Sequence, residues 1–239
     1  MKKILTLIIV ILSIFLIYLG FKDKDIYYLS LGDSIALGMN PYGNKDYGYA
    51  DYVKDYLSGK NVLETYVSDL VNSNKRATDI IKEISENVEV NVNGKKKKLQ
   101  HILIKSDLVT LSLGMNDLLG NVNINNDFNM TDLYTKLEQT CKDFEELFKL
   151  LREYCKEEIV FIGLYNPTNN NELDEFFEYA NKKLEKLSSI YDIDYIDISN
   201  ELKDKKYFPN INSNFPNKEG YKIIADKIIE IIDKKMIKK

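Results

Sequence analysis

Apolar positions along this 239-residue chain alternate between two spacings. Residues 26–31 are an apolar run ending at Gly32, the pattern of a buried strand. Residues 47–57 carry apolar side chains at three- and four-residue steps, which predicts a helix. Residues 61–67 read as extended and 77–84 as helical. Val88-Glu89-Val90-Asn91-Val92 alternates with period two and runs into Asn93-Gly94, a type I′ hairpin signal, with Lys95 to Lys98 as the return arm. The spacing then predicts a buried strand over 108–113, a long helix over 131–156 and a strand over 159–164. A helix over 173–187, a strand over 193–198 and a last amphipathic helix over 218–232 complete the series. Strands separated by helices imply an α/β domain with a parallel sheet and helices on both faces. No linker or repeat divides residues 22–239, so one domain is expected there.

The first twenty residues follow neither spacing. Met1-Lys2-Lys3 leads into an uncharged apolar run from Ile4 to Gly20, followed by Lys22, Asp23, Lys24 and Asp25. At 1.5 Å per residue the run spans roughly 25 Å, enough for a bilayer core. We expect a single transmembrane anchor over 1–21. The two lysines favour a cytoplasmic N-terminus and a domain on the extracytoplasmic side of the cell membrane. A cleaved signal peptide is the competing reading, and a buried soluble helix a third. Ile17-Tyr18-Leu19-Gly20-Phe21 lacks the small-residue pattern of a cleavage site.

Composition narrows the chemistry. Net charge is -4, so there is no basic footprint for nucleic acid. Only Arg76 and Arg152 carry guanidinium groups, which leaves few bidentate anion clamps. One histidine, His101, and two cysteines, Cys141 and Cys155, exclude a His/Cys zinc site. The carboxylates show no ligand spacing, so neither metal nor cofactor is expected. An exported domain could form a disulfide, but fourteen helical residues separate the two cysteines by about 21 Å, beyond bridging distance. They read as small core residues.

Ligand sites in open parallel sheets lie beyond the carboxyl ends of the strands. Those ends deliver Gly32-Asp33-Ser34, Gly114-Met115-Asn116-Asp117 and Tyr165-Asn166-Pro167. Ser34 is placed either as a nucleophile or as a helix cap. The Asn116 amide either stabilises an oxyanion or holds its own turn. His101 precedes the 108–113 strand and so belongs at the opposite end of the sheet, some 20 Å away. Tyr42, Tyr47, Tyr49 and Tyr52 read as packing for a helix and its entry loop, with a sugar or acyl site as the alternative.

Gly32-Asp33-Ser34 with Gly38, Gly114-x-Asn116-Asp117 and Phe215-Pro216-Asn217-Lys218-Glu219-Gly220-Tyr221 resemble three ordered blocks of the SGNH (GDSL) hydrolase family. Gly163-Leu164-Tyr165-Asn166-Pro167 resembles its Gram-positive lipase/acylhydrolase branch. The resemblance covers residues 26–235. It implies a three-layer α/β/α flavodoxin-like domain that hydrolyses esters, often of lipid or carbohydrate acyl groups. It makes Ser34 the nucleophile and assigns an oxyanion hole to the N–H groups of Ser34 and Asn74 and the side chain of Asn116. Gly32, Asp33, Gly114 and Asp117 would support that site.

The chain departs from the family pattern where the resemblance places the acid/base pair. Phe215 stands in the position of the His and Asn212 in that of the Asp, and Asn74 replaces the oxyanion Gly. A serine hydroxyl is a poor nucleophile until a base removes its proton, and neither replacement can do so. The expectation is an impaired, non-catalytic relative that binds an acyl, lipid or glycan ligand, or a protein, through the old cleft. An active ester hydrolase with a non-standard base is the alternative. A structural or assembly module, with Phe215 packing the site shut, is the third.

Overall fold

The computed structural model describes residues 25–120, 129–168 and 170–237. Five parallel strands form one sheet in the order β2-β1-β5-β6-β7. They are β1 (Ile26–Gly32), β2 (Leu63–Val67), β5 (Leu108–Ser112), β6 (Glu158–Ile162) and β7 (Asp194–Ile196). Strands β3 (Glu89–Val92) and β4 (Lys95–Lys98) form a separate antiparallel hairpin. Its Asn93 and Gly94 have φ of 51° and 79°, the two positive values that a type I′ turn requires. Without the hairpin the strand order is 2-1-3-4-5, that of flavodoxin-like sheets.

Alternation along the strands splits the core in two. Leu29, Leu31, Val109, Leu111, Ile159 and Phe161 face one layer. That layer is built from α3 (Ala77–Ser85), α4 (Leu99–Lys105), α6 (Met130–Tyr154) and α7 (Asn171–Ile190). Tyr28, Leu108, Val160, Ile162 and Ile196 face α2 (Tyr49–Gly59) and α8 (Lys218–Lys235). The result is a three-layer α/β/α domain, as expected.

Two short helices escaped the periodicity. They are α1 (Ser34–Leu37) and α5 (Met115–Leu119), each directly after a strand and too short to show a repeat. Helix α4, which carries the exposed His101, also went unread beside the run of lysines. Cys155 is buried just past the end of α6, Cys141 is half-buried within it, and both are free thiols. Burial raises the pKa of each. Among the described residues no helix is long and apolar enough to cross a membrane. The expected anchor over residues 1–21 lies outside them.

Candidate active site

Register assembles the site. Gly32 pairs with Ser112, and Ser112 with Ile162, so β1, β5 and β6 end side by side. The turn after β1 needs glycine: Gly32 has φ of 146°, and a Cβ there would lie 2.3 Å from the Ser112 carbonyl oxygen. The next residue, Asp33, caps α1. Its Oδ1 accepts the Ile35 N–H at 3.0 Å and the Ser112 hydroxyl at 3.2 Å. Burial pushes the Asp33 carboxyl up to about 7, against the lowering effect of those two donors. Ser34, only 7% exposed, opens α1, so its N–H has no acceptor within the helix.

The turn after β5 is built alike. Gly114 has φ of 115° and a Cβ would sit 2.9 Å from Leu164 Cδ2. It caps α5, which carries Asn116 into the cavity wall beside Ser34. Asp117 does not face the cavity. Its Oδ1 accepts the Ala77 N–H at 2.9 Å and so caps α3, while burial raises its carboxyl to about 6.

A cavity of about 210 Å³ opens at these strand ends. Ser34, Asn74, Asn116 and Phe215 all line it, with Asp33, Ser73, Met115 and Tyr165. Asn212 is exposed and absent from the wall. Phe215 packs partly into the α2/α8 core and leaves the cavity open beside Ser34, so the site is not packed shut. His101 precedes β5 at the far end of the sheet, as expected. Tyr49 is buried and Tyr47 meets Tyr52 edge-on at 4.6 Å, whereas Tyr42 is exposed; none of the four lines the cavity.

The polar side chains of the site bond to nearby backbone carbonyls. The Ser34 hydroxyl donates to the Ser73 backbone carbonyl at 2.8 Å. Asn116 Nδ2 donates to that same oxygen at 2.9 Å and to the Lys75 carbonyl at 3.0 Å. The Asn74 N–H, expected to point inward, instead donates to Asn72 Oδ1 at 3.1 Å. Among the described residues of the wall the only carboxylate is Asp33, and there is no imidazole. The Tyr165 hydroxyl donates to the Asn214 carbonyl at 2.8 Å, and burial raises its pKa well above the usual tyrosine value. Sequence reasoning missed Asn72 and Ser73, although a run of Asn, Ser, Asn and Lys is itself a turn signal.

The chain resembles known proteins over nearly its whole length. The family of GDSL-like lipases and acylhydrolases matches residues 28–228. A Bacillus subtilis relative described as uncharacterized protein YpmR is 24% identical over 231 residues, 91% of this chain and 86% of that one. Among solved structures, an acetylxylan esterase from Geobacillus stearothermophilus superposes with a TM-score of 0.66 at 15% identity, covering 91% of this chain and 99% of that one. Variants of that esterase with a histidine, a serine or an aspartate replaced are each described as catalytic mutants. A lipase/acylhydrolase from Enterococcus faecalis gives a TM-score of 0.60 at 14% identity, over 89% of this chain and 98% of that one. The cavity at the ends of β1, β5 and β6 thus sits in a fold shared with esterases, and the chain belongs to the SGNH (GDSL-like) lipase/acylhydrolase family.

Proposed function

We propose that this chain is a catalytically impaired SGNH protein, held on the extracytoplasmic face of the cell membrane, that binds an acylated ligand in the cavity without turning it over. One observation carries the reading. The Ser34 hydroxyl spends its proton on the Ser73 carbonyl, and Phe215 occupies the wall where the family's histidine belongs. A positioned general base is worth about 10² to 10⁴ in rate, and its loss leaves serine a weak nucleophile. The oxyanion amide Asn116 is likewise committed to backbone carbonyls. The remaining wall, with Met115 and Tyr165 beside polar backbone, suits an acyl group on a sugar or lipid. The membrane setting rests on the apolar run before Asp25 and its lysine flank.

The test is p-nitrophenyl acetate hydrolysis and fluorophosphonate labelling of the whole chain in detergent, beside Ser34→Ala. Background-level rates for both proteins are expected. Ser34-dependent turnover at ordinary enzyme rates would overturn the reading. For topology, protease added to whole cells should cleave the domain; shielding there, with cleavage in inverted vesicles, would reverse the orientation.

A second reading has its own observation. Asp33 lines the cavity with a carboxyl raised to about 7, close to the range of a general base. Slow Ser34-dependent turnover that rises through pH 7 and vanishes in Asp33→Asn would support it.

A further inference from the structure

The geometry points to a built-in plug: the turn over Asn72 to Lys75 fills the oxyanion hole with its own carbonyl, and Asn72 and Asn74 hold it there. This rests on the reading of Ser34 and Asn116 as the remains of a hydrolase centre. The Lys75 N–H donates to the Asn72 carbonyl at 3.1 Å, which makes these four residues a β-turn. Its central peptide joins Ser73 to Asn74. The carbonyl of that peptide takes the Ser34 hydroxyl and the Asn116 amide together, the place a developing oxyanion would occupy.

Two forms of such a turn differ by a flip of the central peptide. Type I tolerates most residues at its third position; type II demands positive φ there, and hence favours glycine or asparagine. Among the described non-glycine residues the positive-φ set is Asn61, Asn87, Asn93 and Asp192, so Asn74 is outside it. The turn is therefore in the type I sense. The Asn72 side chain fixes that sense by accepting the Asn74 N–H at 3.1 Å, an Asx turn on the side away from the cavity.

A flip would exchange the two groups. The Ser73 carbonyl would turn outward and the Asn74 N–H inward. That N–H would join the Ser34 N–H and one released proton of Asn116, whose other proton stays on the Lys75 carbonyl at 3.0 Å. Three donors would then converge where one acceptor now sits. Asn72 and Asn74 are thus positioning residues, and they decide whether the cavity accepts an anionic oxygen.

Phenylboronic acid probes this at equilibrium, without a general base. Boron takes the electron pair of Ser34 Oγ, the hydroxyl proton leaves to buffer, and a tetrahedral boronate anion places an oxygen in the hole. We expect Asn74→Gly to bind the boronate about tenfold tighter than wild type or better, read by ¹¹B NMR. Asn72→Ala, which removes the latch and keeps the Cβ at residue 74, should tighten binding less. Ser34→Ala combined with Asn74→Gly should abolish the tetrahedral signal. Equal affinity of wild type and a folded Asn74→Gly would overturn the plug. If that variant does not fold, equal affinity of wild type and Asn72→Ala would do the same. A crystal structure of the free wild type with the Asn74 N–H facing the cavity would also overturn it. Ester hydrolysis by the wild type would sink the impaired-enzyme reading and leave these affinity comparisons standing, so the two failures are distinguishable.

Discussion

The two strand-end turns and the two loops that close the cavity over them have been treated differently in this molecule. After β1 and β5 stand Gly32, Asp33, Ser34, Gly114, Asn116 and Asp117, all as the family pattern has them. In the loops stand Asn74, Asn212 and Phe215, where the family resemblance puts a Gly, an Asp and a His. The difference follows from what each residue carries. Gly32 and Gly114 occupy positive φ, where a Cβ would meet the Ser112 carbonyl and the Leu164 side chain, Asp33 caps α1 and Asp117 caps α3. Those jobs belong to the fold and persist whether or not an ester is cleaved. A histidine base, its orienting aspartate and an inward N–H have no comparable structural role. A GDS motif in a sequence is thus evidence for the turn first, and for the reaction only when its loop partners are present.

Restoring the loops is the widest way to break this comparison. A chain carrying Asn74→Gly, Asn212→Asp and Phe215→His should gain about 10² to 10⁴ in Ser34-dependent ester hydrolysis over wild type. The pair without Asn74→Gly should gain less, because the Ser73 carbonyl still fills the hole. No gain in a folded triple variant, measured with p-nitrophenyl acetate, would mean that the turns have also lost their catalytic geometry.

Gly32→Ala attacks the retained side. With φ of 146° and a carbonyl oxygen at 2.3 Å, the new Cβ must displace backbone. Stability should fall by about 3–4 kcal/mol, from strain and overpacking together. Urea unfolding followed by circular dichroism reads this; a loss below about 1 kcal/mol would show that the turn relaxes easily.

Ser112→Ala removes one of the two donors on Asp33 Oδ1 and should cost about 1.5–3 kcal/mol where that carboxylate is ionised. The cost should shrink at pH 5, where Asp33, raised to about 7 by burial, is protonated. An equal cost at pH 5 and pH 8 would mean that Asp33 is not the partner that matters.

Asp33 also sets a slope. In the unfolded chain its proton leaves near the ordinary aspartate value of 3.8; in the folded chain it is held to about 7. The folded state therefore binds more protons between those values, and the Asp33 contribution to stability falls as pH rises from about 4 to 7, then levels off. Asp117, raised to about 6, works in the same direction. Denaturation midpoints of wild type and Asp33→Asn should converge toward pH 4 and separate toward pH 7.5, with the variant the more stable there. Parallel curves would exclude this titration.

The smallest effect concerns the cysteines. Both are free, so reducing agent should leave the melting temperature unchanged. A fall on reduction would reveal a bridge between chains through half-buried Cys141.

The layered architecture was legible in particular residues. Period-two runs such as 88–92 with Asn93-Gly94, and the three- and four-residue steps of 131–156, mapped onto the hairpin and α6 within a few residues. The positions that the family resemblance gives to the acid/base pair were read from the sequence alone, since Phe215 and Asn212 sit at fixed offsets from Pro216 and Gly220. Helices α1 and α5 were not legible, because four or five residues cannot display a 3.6-residue period. The direction of the Asn74 N–H was not legible either. Asparagine suits both senses of the turn, so its identity alone left the peptide unassigned.

The sequence by itself determined the parallel α/β domain, the turn glycines and the want of an imidazole near Ser34, because periodicity, backbone permissiveness and residue counts are local or countable properties. Tertiary structure alone decided that the Ser73 carbonyl accepts from both Ser34 and Asn116 and that Asp117 caps α3 instead of facing the cavity. Those outcomes depend on partners about forty residues away in the chain, Ser34 and Asn116 for Ser73 and Ala77 for Asp117, which meet only when β1 and β5 lie side by side. A peptide whose two orientations suit its own residues equally is oriented by whatever the fold sets across from it.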